Sequence, residues 1–436
     1  MLLRLLIFTL LSAMNVFSQN PTIETGVPQT LAKWRAANYS DVRYKLNLTL
    51  EKMSPTLKGT IEVSLKNNAD QIVLDWRKTR GKEDLSRIEN VFVNGKAAKF
   101  EEINEHLVFK EGVIKGENVV KLDFTSPIAT SGAAVTRYVD KEDGAEYVYS
   151  LFVPSDASTA FPVFDQPDLK ASFQLTLESP FLWKVVSNAK TEISEIPKCA
   201  ELDNCRRTHF FSPTAPISTY VFAFAAGDFT EINPGSIVGG TRQFKNSMQI
   251  FEHRVDKTSI FLRKSQAKKF SQHSAEVFRL NREAVEYLEN YFDYKFPFPK
   301  YDLVLIPEFP FGGMEHAGAT FLREDRVIFP TEPTKNDFVT RANLIFHEAA
   351  HQWFGDTVTM RWFDDLWLKE GFAEFMAYKT LEKVMPEYNA WKIFYERNKQ
   401  AAYLTDSTKG TTPIYQEIPN LASAKSAYGN IVYRKA

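Results

Sequence analysis

The pattern His347-Glu348-Ala349-Ala350-His351 constrains the fold of this 436-residue chain more than any other feature. Residues four positions apart lie one turn apart on the same face of an α-helix, so a helix lets both imidazoles reach one metal ion. Apolar residues at helical spacing surround the pattern, and Gly355 follows it as a stop signal. The pattern therefore predicts a helix on which Glu348 lies beside a metal and takes a proton from bound water.

A catalytic zinc ion needs a third protein ligand and an open fourth position. Eighteen residues separate His351 from Glu370, which stands in a segment that reads as a second helix. Glu374, one turn later, is also a candidate ligand by its charge alone. The alternative makes the two histidines ordinary polar groups near a core helix, with Glu370 in water. That alternative explains neither the pairing of the histidines nor the spacing.

The periodicity of apolar residues changes along the chain and indicates two domains. Up to about residue 230 the strand candidates alternate with period two or are short and apolar, with turn residues between them and no sustained helical period. This predicts a large antiparallel β domain over residues 19–230. Residues 231–436 predict a mixed α/β domain, with helices over 256–292, a strand at 301–306 and mainly helix from 334. The strand candidates of the first domain are 44–50, 59–65, 72–76, 91–93, 119–124, 171–177 and 220–225.

The first eighteen residues have the composition of a secretory signal peptide. A positively charged start precedes an apolar run over 5–13, and Val16 and Ser18 are small residues at the positions that a signal peptidase reads. The run is shorter than the ~20 residues of a transmembrane helix. A buried N-terminal helix is the alternative. We expect export to the periplasm or the cell exterior, with no transmembrane segment.

Charge and cysteine content narrow the function further. The chain has 53 Lys+Arg and 54 Asp+Glu, so its formal net charge is −1. A nucleic-acid-binding protein usually has an excess of basic residues, which this chain lacks.

Cys199 and Cys205 are the two cysteines of the chain. In an exported protein we expect them to form a disulfide bond, with a cysteine-based metal site or nucleophile as the weaker alternative.

The combined motifs resemble one protein family. His347-Glu348-x-x-His351 followed by Glu370 is similar to the M1 family of zinc aminopeptidases, within the gluzincin metallopeptidases. The stretch 311–318, Phe-Gly-Gly-Met-Glu-His-Ala-Gly, resembles the exopeptidase motif of that family, and segments 161–167, 353–355 and 365–372 also follow its pattern. The resemblance implies an all-β, antiparallel, saddle-like N-terminal domain followed by a thermolysin-like α+β zinc metallopeptidase domain.

The resemblance also implies a role for each motif residue. One zinc ion per chain is held by His347, His351 and Glu370, and Glu348 is the general base. Glu315 binds the free α-ammonium group of a peptide substrate and so restricts cleavage to the first peptide bond. Tyr433 stabilises the oxyanion, with Tyr428 as a lesser candidate. The other residues expected to contact the substrate are Gly312, Gly313, Met314 and His316.

Several positions depart from the family pattern. His316 stands where the exopeptidase motif usually has Asn, Val153 where many relatives carry Gln or Glu, and Gln166 where Glu is usual. The chain ends at Ala436, three residues after Tyr433, whereas family members continue into a helical C-terminal domain. We therefore expect the sequence to be a fragment of its parent protein.

The function expected of the parent protein is zinc-dependent hydrolysis of the N-terminal peptide bond, with peptides that have a free N-terminus as its substrates. Three alternatives remain open. A zinc endopeptidase and an epoxide hydrolase would keep the same fold and metal. A catalytically silent relative would only bind peptides, although it would not need an intact Glu348.

Overall fold

A computed structural model describes residues 20–195, 205–234 and 258–436, without the side chains of 193–195. The predicted signal peptide over 1–18 and Cys199 lie outside the described residues. Cys205 is described and buried, and its pairing with Cys199 stays a prediction. Within the described ranges, no helix combines the length and apolar composition needed to cross a bilayer.

The N-terminal part consists mainly of β-strands, which form sheets of eight, four and three strands. The period-two pattern in the sequence arises because every second residue of a strand faces the core. In β1, for example, Tyr44, Leu46 and Leu48 are buried. The strands are β1 Tyr39–Thr49, β2 Thr56–Asn67, β3 Ile72–Asp75, β4 Arg87–Val93, β5 Lys96–Ala97, β6 Phe100–Ile103, β7 His106–Phe109, β8 Gly116–Pro127, β9 Val135–Val139, β10 Glu146–Ser150, β11 Ala171–Pro180, β12 Lys184–Ser187, β13 Thr191–Glu195, β14 Arg206–Phe211 and β15 Phe224–Gly227.

The eight-stranded sheet has the order β13-β14-β11-β1-β2-β8-β4-β5. Its neighbouring strands are antiparallel with one exception, because β1 and β11 pair in parallel, with Leu46 opposite Leu175. Parallel pairing needs a long crossover connection, and the chain between Thr49 and Ala171 supplies it. The expected antiparallel domain is therefore correct apart from this central pair.

Two local expectations for the N-terminal part were wrong. Residues Gln29–Asn38 form a helix, α1, although no sustained helical period predicted one. Its Arg35 is fully buried and forms an ion pair with Asp75, with 2.6 Å between Nη2 and Oδ1, so tertiary contacts hold this helix. The strand expected at 220–225 is a 3-10 turn over Thr219–Val221 followed by β15.

Gln166 has a structural role in the N-terminal part. Its Nε2 donates hydrogen bonds to the carbonyl of Ala32 on α1, at 3.0 Å, and to Oδ1 of Asp168, at 2.8 Å. Gln166, which stands where the family usually has Glu, therefore helps to attach α1 to the rest of the N-terminal part.

The C-terminal part is mixed α/β, as expected. Its five-stranded sheet has the order β16-β17-β18-β20-β19, in which β17, β18 and β20 are parallel and β19 is an antiparallel edge strand. The strands are β16 Phe229–Ile232, β17 Ile260–Arg263, β18 Asp302–Ile306, β19 Gly313–Met314 and β20 Ala319–Arg323. The helices are α2 Ala267–Phe270, α3 Ser274–Phe292, α4 Glu324–Val327, α5 Lys335–His351, α6 Trp367–Val384, α7 Ala390–Phe394 and α8 Gln400–Asp406. Shorter 3-10 and π-helical turns cover Phe363–Asp365, Tyr395–Lys399, Leu421–Ala427 and Ile431–Lys435.

The helical reading of 256–292 was wrong at its start. Ile260–Arg263 is strand β17, which pairs with β16 and β18. A short apolar run next to a true helix has no period of its own, so the sequence could not separate the two. Helix α5 begins as expected for a capped helix, because Thr334 and Asp337 form a reciprocal capping box.

A substitution at Gly59, on β2, tests how tightly the eight-stranded sheet is packed. A Cβ at Gly59 would lie 2.6 Å from the ring of Phe124 and 2.7 Å from the carbonyl oxygen of Asn47. We expect Gly59→Ala to lower the free energy of unfolding by about 1–3 kcal/mol through overpacking. Urea unfolding measures the change. Gly410→Ala is the control, because the nearest contact of its Cβ is an ordinary 3.6 Å; equal stability of the two variants would contradict the packing.

Candidate metal centre and substrate cavity

Two adjacent helices bring His347, His351 and Glu370 together. The Nε2 atoms of His347 and His351, both on α5, are 3.0 Å apart. Oε2 of Glu370, near the start of α6, lies 3.5 Å from Nε2 of His347 and 3.3 Å from Nε2 of His351. A tetrahedral ion with bonds of about 2.0–2.1 Å separates its ligand atoms by roughly 3.4 Å. The spacing and the donor types of these three side chains therefore fit one shared metal ion.

The outer nitrogen of each imidazole has its own acceptor. Nδ1 of His351 lies 2.9 Å from the carbonyl oxygen of Phe354, and Nδ1 of His347 lies 3.1 Å from Oε2 of Glu374. Donation from both Nδ1 atoms leaves the Nε2 lone pairs directed at the shared position. Asn398 in turn donates to the other oxygen of Glu374 at 2.7 Å. Glu374, a candidate ligand by charge, thus orients a ligand instead.

Glu348 lies beside the three ligand candidates with a free oxygen. The side chain is buried, and no described residue hydrogen-bonds its Oε2. Burial raises the pKa of Glu348 to about 8. Gly313 at the edge strand β19 packs against the same carboxyl group, where any Cβ would collide with it. The missing side chain of Gly313 therefore makes room for Glu348.

A buried ammonium group links the exopeptidase-like segment to the ligand set. Nζ of Lys369 lies 2.5 Å from Oε1 of Glu315 and 3.0 Å from Oε1 of Glu370. All three side chains are at most 4% exposed. Burial is the largest single influence on Glu315 and raises its pKa, but the nearby positive charges, that of Lys369 first, together with the hydrogen bond from Lys369 hold that pKa below its usual range. Nζ of Lys369 also lies 4.8 Å from the ring centre of Tyr220 in the N-terminal part.

A cavity of about 360 Å³ opens onto this centre. The three ligand candidates, Glu348 and Glu315 all line it, and Val153 of the N-terminal part contributes to its wall. Tyr433 is on the π-helical turn Ile431–Lys435, and its ring stacks near that of His347, with centres 6.2 Å apart. The other predicted substrate-contacting residues on the wall are Gly312, Gly313, Met314 and Tyr428.

His316 does not lie on the wall of this cavity, so its expected place along the substrate needs correction. Its ring is fully buried and packs edge-on against Phe321, with centres 4.4 Å apart. No described residue hydrogen-bonds either ring nitrogen. Burial lowers the pKa of His316 to about 3, so the ring is neutral at pH 7. His316 directs its ring into the core while its neighbour Glu315 lines the cavity.

Sequence reasoning missed Lys369 and Tyr220 as parts of the centre. Lys369 stands next to Glu370, but lysines on helices are usually in solvent, and nothing local marks this one as buried. Tyr220 precedes Lys369 by 149 positions in the sequence. No short motif connects residues so far apart, so only an alignment of relatives could have indicated the contact.

Two imidazoles and a carboxylate on adjacent helices, with a further glutamate beside them at the edge of a mixed sheet, form the type of centre found in metallopeptidases. Comparison with known families agrees. Residues 40–221 match the Peptidase M1 N-terminal domain, and residues 277–436 match the Peptidase family M1 domain. The chain belongs to peptidase family M1.

Individual relatives carry aminopeptidase names. Aminopeptidase N of Streptomyces lividans is 32% identical over 352 residues, which are 80% of this chain and 38% of that protein. The probable aminopeptidase 1 of Sulfurisphaera tokodaii is 30% identical over 398 residues, 90% of this chain and 45% of the relative. The leucyl aminopeptidase of Saccharolobus solfataricus is 28% identical over 404 residues, again 90% and 45%. The chain thus spans about two fifths of the length of these relatives.

Lys369 provides a test of the buried charge network. Lys369→Met should lower the free energy of unfolding of the metal-free protein by about 3–5 kcal/mol at pH 7, because it leaves two buried carboxylates without their cation. Lys45→Met is the control, since it breaks an exposed pair with Glu62, 3.0 Å long, that contributes less than about 1 kcal/mol. Urea unfolding in the presence of a chelator measures both. Similar losses in the two variants would show that the network is not buried as described.

Proposed function

We propose that this chain is the metal-binding part of a zinc aminopeptidase that releases single residues from the N-termini of peptides. The observation that carries the proposal is the position of Glu315. Ligand atoms of Glu315, Glu348 and His351 all lie within 4.8 Å of one another. A substrate ammonium group bound to Glu315 therefore brings the first peptide bond, and no later one, next to the metal centre. The aminopeptidase names of the relatives support the same activity.

The residues that hold zinc in this proposal are His347, His351 and Glu370. Zinc, when bound, supplies a Lewis acid and makes water available as a nucleophile near neutral pH. Imidazole nitrogens and one carboxylate are ligands that a catalytic zinc ion takes, and three protein ligands leave a position open. The acceptors on both Nδ1 atoms hold the two imidazoles in the tautomer that binding needs.

Glu348 is the proton carrier of the proposed reaction. Its unpartnered Oε2 accepts the proton of the attacking water and later donates it to the leaving amine. Tyr433, on the wall of the same cavity, donates a hydrogen bond from its hydroxyl group to the oxyanion that develops on the substrate. Tyr428 lines the cavity as well and is the lesser candidate for that role.

Glu315 binds the substrate ammonium group while it keeps its ion pair with Lys369. The ion pair at 2.5 Å already compensates this carboxylate before substrate arrives. A second ammonium group uses the remaining lone pairs of Glu315. Val153 lines the cavity at the position where many relatives have Gln or Glu, so Glu315 and Glu370 are the carboxylates available to the substrate amine.

Export of the parent protein, proposed from residues 1–18, would expose the site to extracytoplasmic peptides.

Substrate preference tests the proposal directly. We expect the intact natural protein, loaded with zinc, to release the first residue of a short peptide and to leave the N-acetylated peptide at least about 100-fold less cleaved, because acetylation removes the ammonium group that Glu315 binds. Mass spectrometry of the products measures both. Equal cleavage of the two peptides would indicate an endopeptidase. Cleavage of neither, with peptide binding retained, would indicate a silent relative.

Glu348→Gln tests the role of the proton carrier. The substitution should lower kcat by about 10²–10⁴-fold, since a positioned acid–base group contributes that much, while bound zinc stays unchanged. Steady-state kinetics and metal analysis measure the two quantities. Glu387→Gln is the control, because this glutamate is exposed on the surface. Unchanged kcat in Glu348→Gln would refute the assigned role.

A further inference from the structure

The N-terminal strap, residues 25–29, pairs with the tyrosine segment, residues 418–436. Pro28 and Asn420 form an antiparallel bridge. The backbone N–H of Gln29 donates to the carbonyl of Pro419 at 2.9 Å, and that of Leu421 donates to the carbonyl of Val27 at 3.0 Å. These contacts join the start of the described chain to residues almost four hundred positions later.

Side chains add to this pairing. Nδ2 of Asn420 donates to the carbonyl of Thr25 at 2.9 Å. Nε2 of Gln29 donates to Oδ2 of Asp364 at 3.1 Å, and the other oxygen of Asp364 accepts from the backbone N–H of Ile418 at 3.1 Å. Asp364 lies shortly before α6, which carries Glu370. The strap and the turn that precedes α6 therefore contact the same end of the tyrosine segment.

The strap is itself fixed to the N-terminal part. The backbone N–H of Gly26 donates to Oε2 of Glu105 at 3.0 Å, and Nδ2 of Asn104 donates to the carbonyl of Ile23 at 2.8 Å. Both partners lie in the turn between β6 and β7. The tyrosine segment is thus connected through the strap to the rigid β-sheet structure.

The tyrosine segment needs such external contacts. Residues 408–417 before it are mostly exposed and irregular, and the segment itself contains only the short turns Leu421–Ala427 and Ile431–Lys435. Helical turns of this length are unstable without tertiary contacts. Asn420 also accepts a hydrogen bond from the N–H of Ala422 at 3.0 Å and so caps the first turn. The residue that the strap holds is therefore the residue that caps the first turn of the segment.

We infer that the N-terminal strap is a positioning element for Tyr433, which it orients over the metal centre by fixing the start of the tyrosine segment. The inference rests on the proposed role of Tyr433 in catalysis. Residues of the strap do not line the cavity described above. They act through Asn420 and the turns that follow it. Displacement of a catalytic group by ~1 Å can lower a rate about 100-fold, so a small shift of this segment is measurable.

Gly26→Ala is the substitution that tests the strap. Gly26 has a φ of 73°, and a Cβ there would lie 2.6 Å from Oδ1 of Asn420. Gly144→Ala is a matched control, because Gly144 has the same φ of 73° and its Cβ would meet no described atom within 4 Å. Both variants place alanine at the same left-handed φ. A clash of the new Cβ with the tyrosine segment arises only in Gly26→Ala.

Kinetics and hydrogen exchange of the zinc-loaded, intact natural protein provide the readouts. We expect Gly26→Ala to lower kcat about tenfold or more, with KM within about twofold and bound zinc unchanged, because Tyr433 acts on the transition state. Amide exchange over residues 421–436 should accelerate in Gly26→Ala and not in Gly144→Ala. Adding Asn420→Ser to Gly26→Ala should recover part of the lost kcat, since serine is shorter and still caps a helical turn.

Three outcomes would overturn the inference. The first is equal kcat and equal exchange over 421–436 in the two alanine variants. The second is a fall in kcat accompanied by zinc loss or by faster exchange throughout the chain, which would show a general structural role. The third is failure of Asn420→Ser to recover any kcat. If the unmodified protein released no N-terminal residues, the proposed function would fail while the exchange comparison still decided whether the strap orders the segment.

Discussion

The burial of several carboxyl groups is the constraint on which the centre of this protein depends. The carboxyl groups of Glu315, Glu348, Glu370 and Asp356 are each at most 4% exposed. Removing a carboxylate from water costs several kcal/mol unless a cation compensates it. Lys369 supplies one positive charge between two of these groups. Burial raises the pKa of Glu348 to about 8 and that of Asp356 well above its usual range, so these two groups avoid the cost by keeping a proton at pH 7. The metal ion and the substrate ammonium group that we propose for the cavity would add positive charge beside Glu370 and Glu315.

Both parts of the chain are needed to form this centre. The ring of Tyr220 lies under the ammonium group of Lys369, and Val153 closes part of the cavity wall. Nζ of Lys170 donates to the carbonyl oxygens of Asp356 and Thr357, each at 2.9 Å, just after the ligand helix α5. The N-terminal part therefore does more than precede the metal-binding part in sequence. It supplies charge, aromatic surface and backbone contacts to the same site.

The accuracy of the sequence-based predictions followed the length and regularity of each pattern. Strands β1 and β2 were located correctly because seven residues of each predicted run, 44–50 and 59–65, alternate with period two, although the strands themselves span Tyr39–Thr49 and Thr56–Asn67. Helix α1 was missed because its stability depends on the buried pair of Arg35 with Asp75, which leaves no local pattern. Strand β17 was misread as helix because a run of three apolar residues, Ile260 to Leu262, has no measurable period. The parallel pairing of β1 with β11 was also beyond prediction, since no residue pattern records which distant strands are neighbours.

For the candidate site, the sequence by itself determined which residues could share a metal ion. Helical geometry puts His347 and His351 on one face whatever surrounds them, so the spacing alone was sufficient to bring these two together. Only the tertiary structure decided that Glu370 meets them, that Glu374 contacts an imidazole instead, that Lys369 is buried and that His316 faces the core. The physical reason is range. Hydrogen bonding along a helix acts within four residues, whereas the packing that selects one carboxylate over another, or buries a charge, depends on side chains tens to more than a hundred positions away.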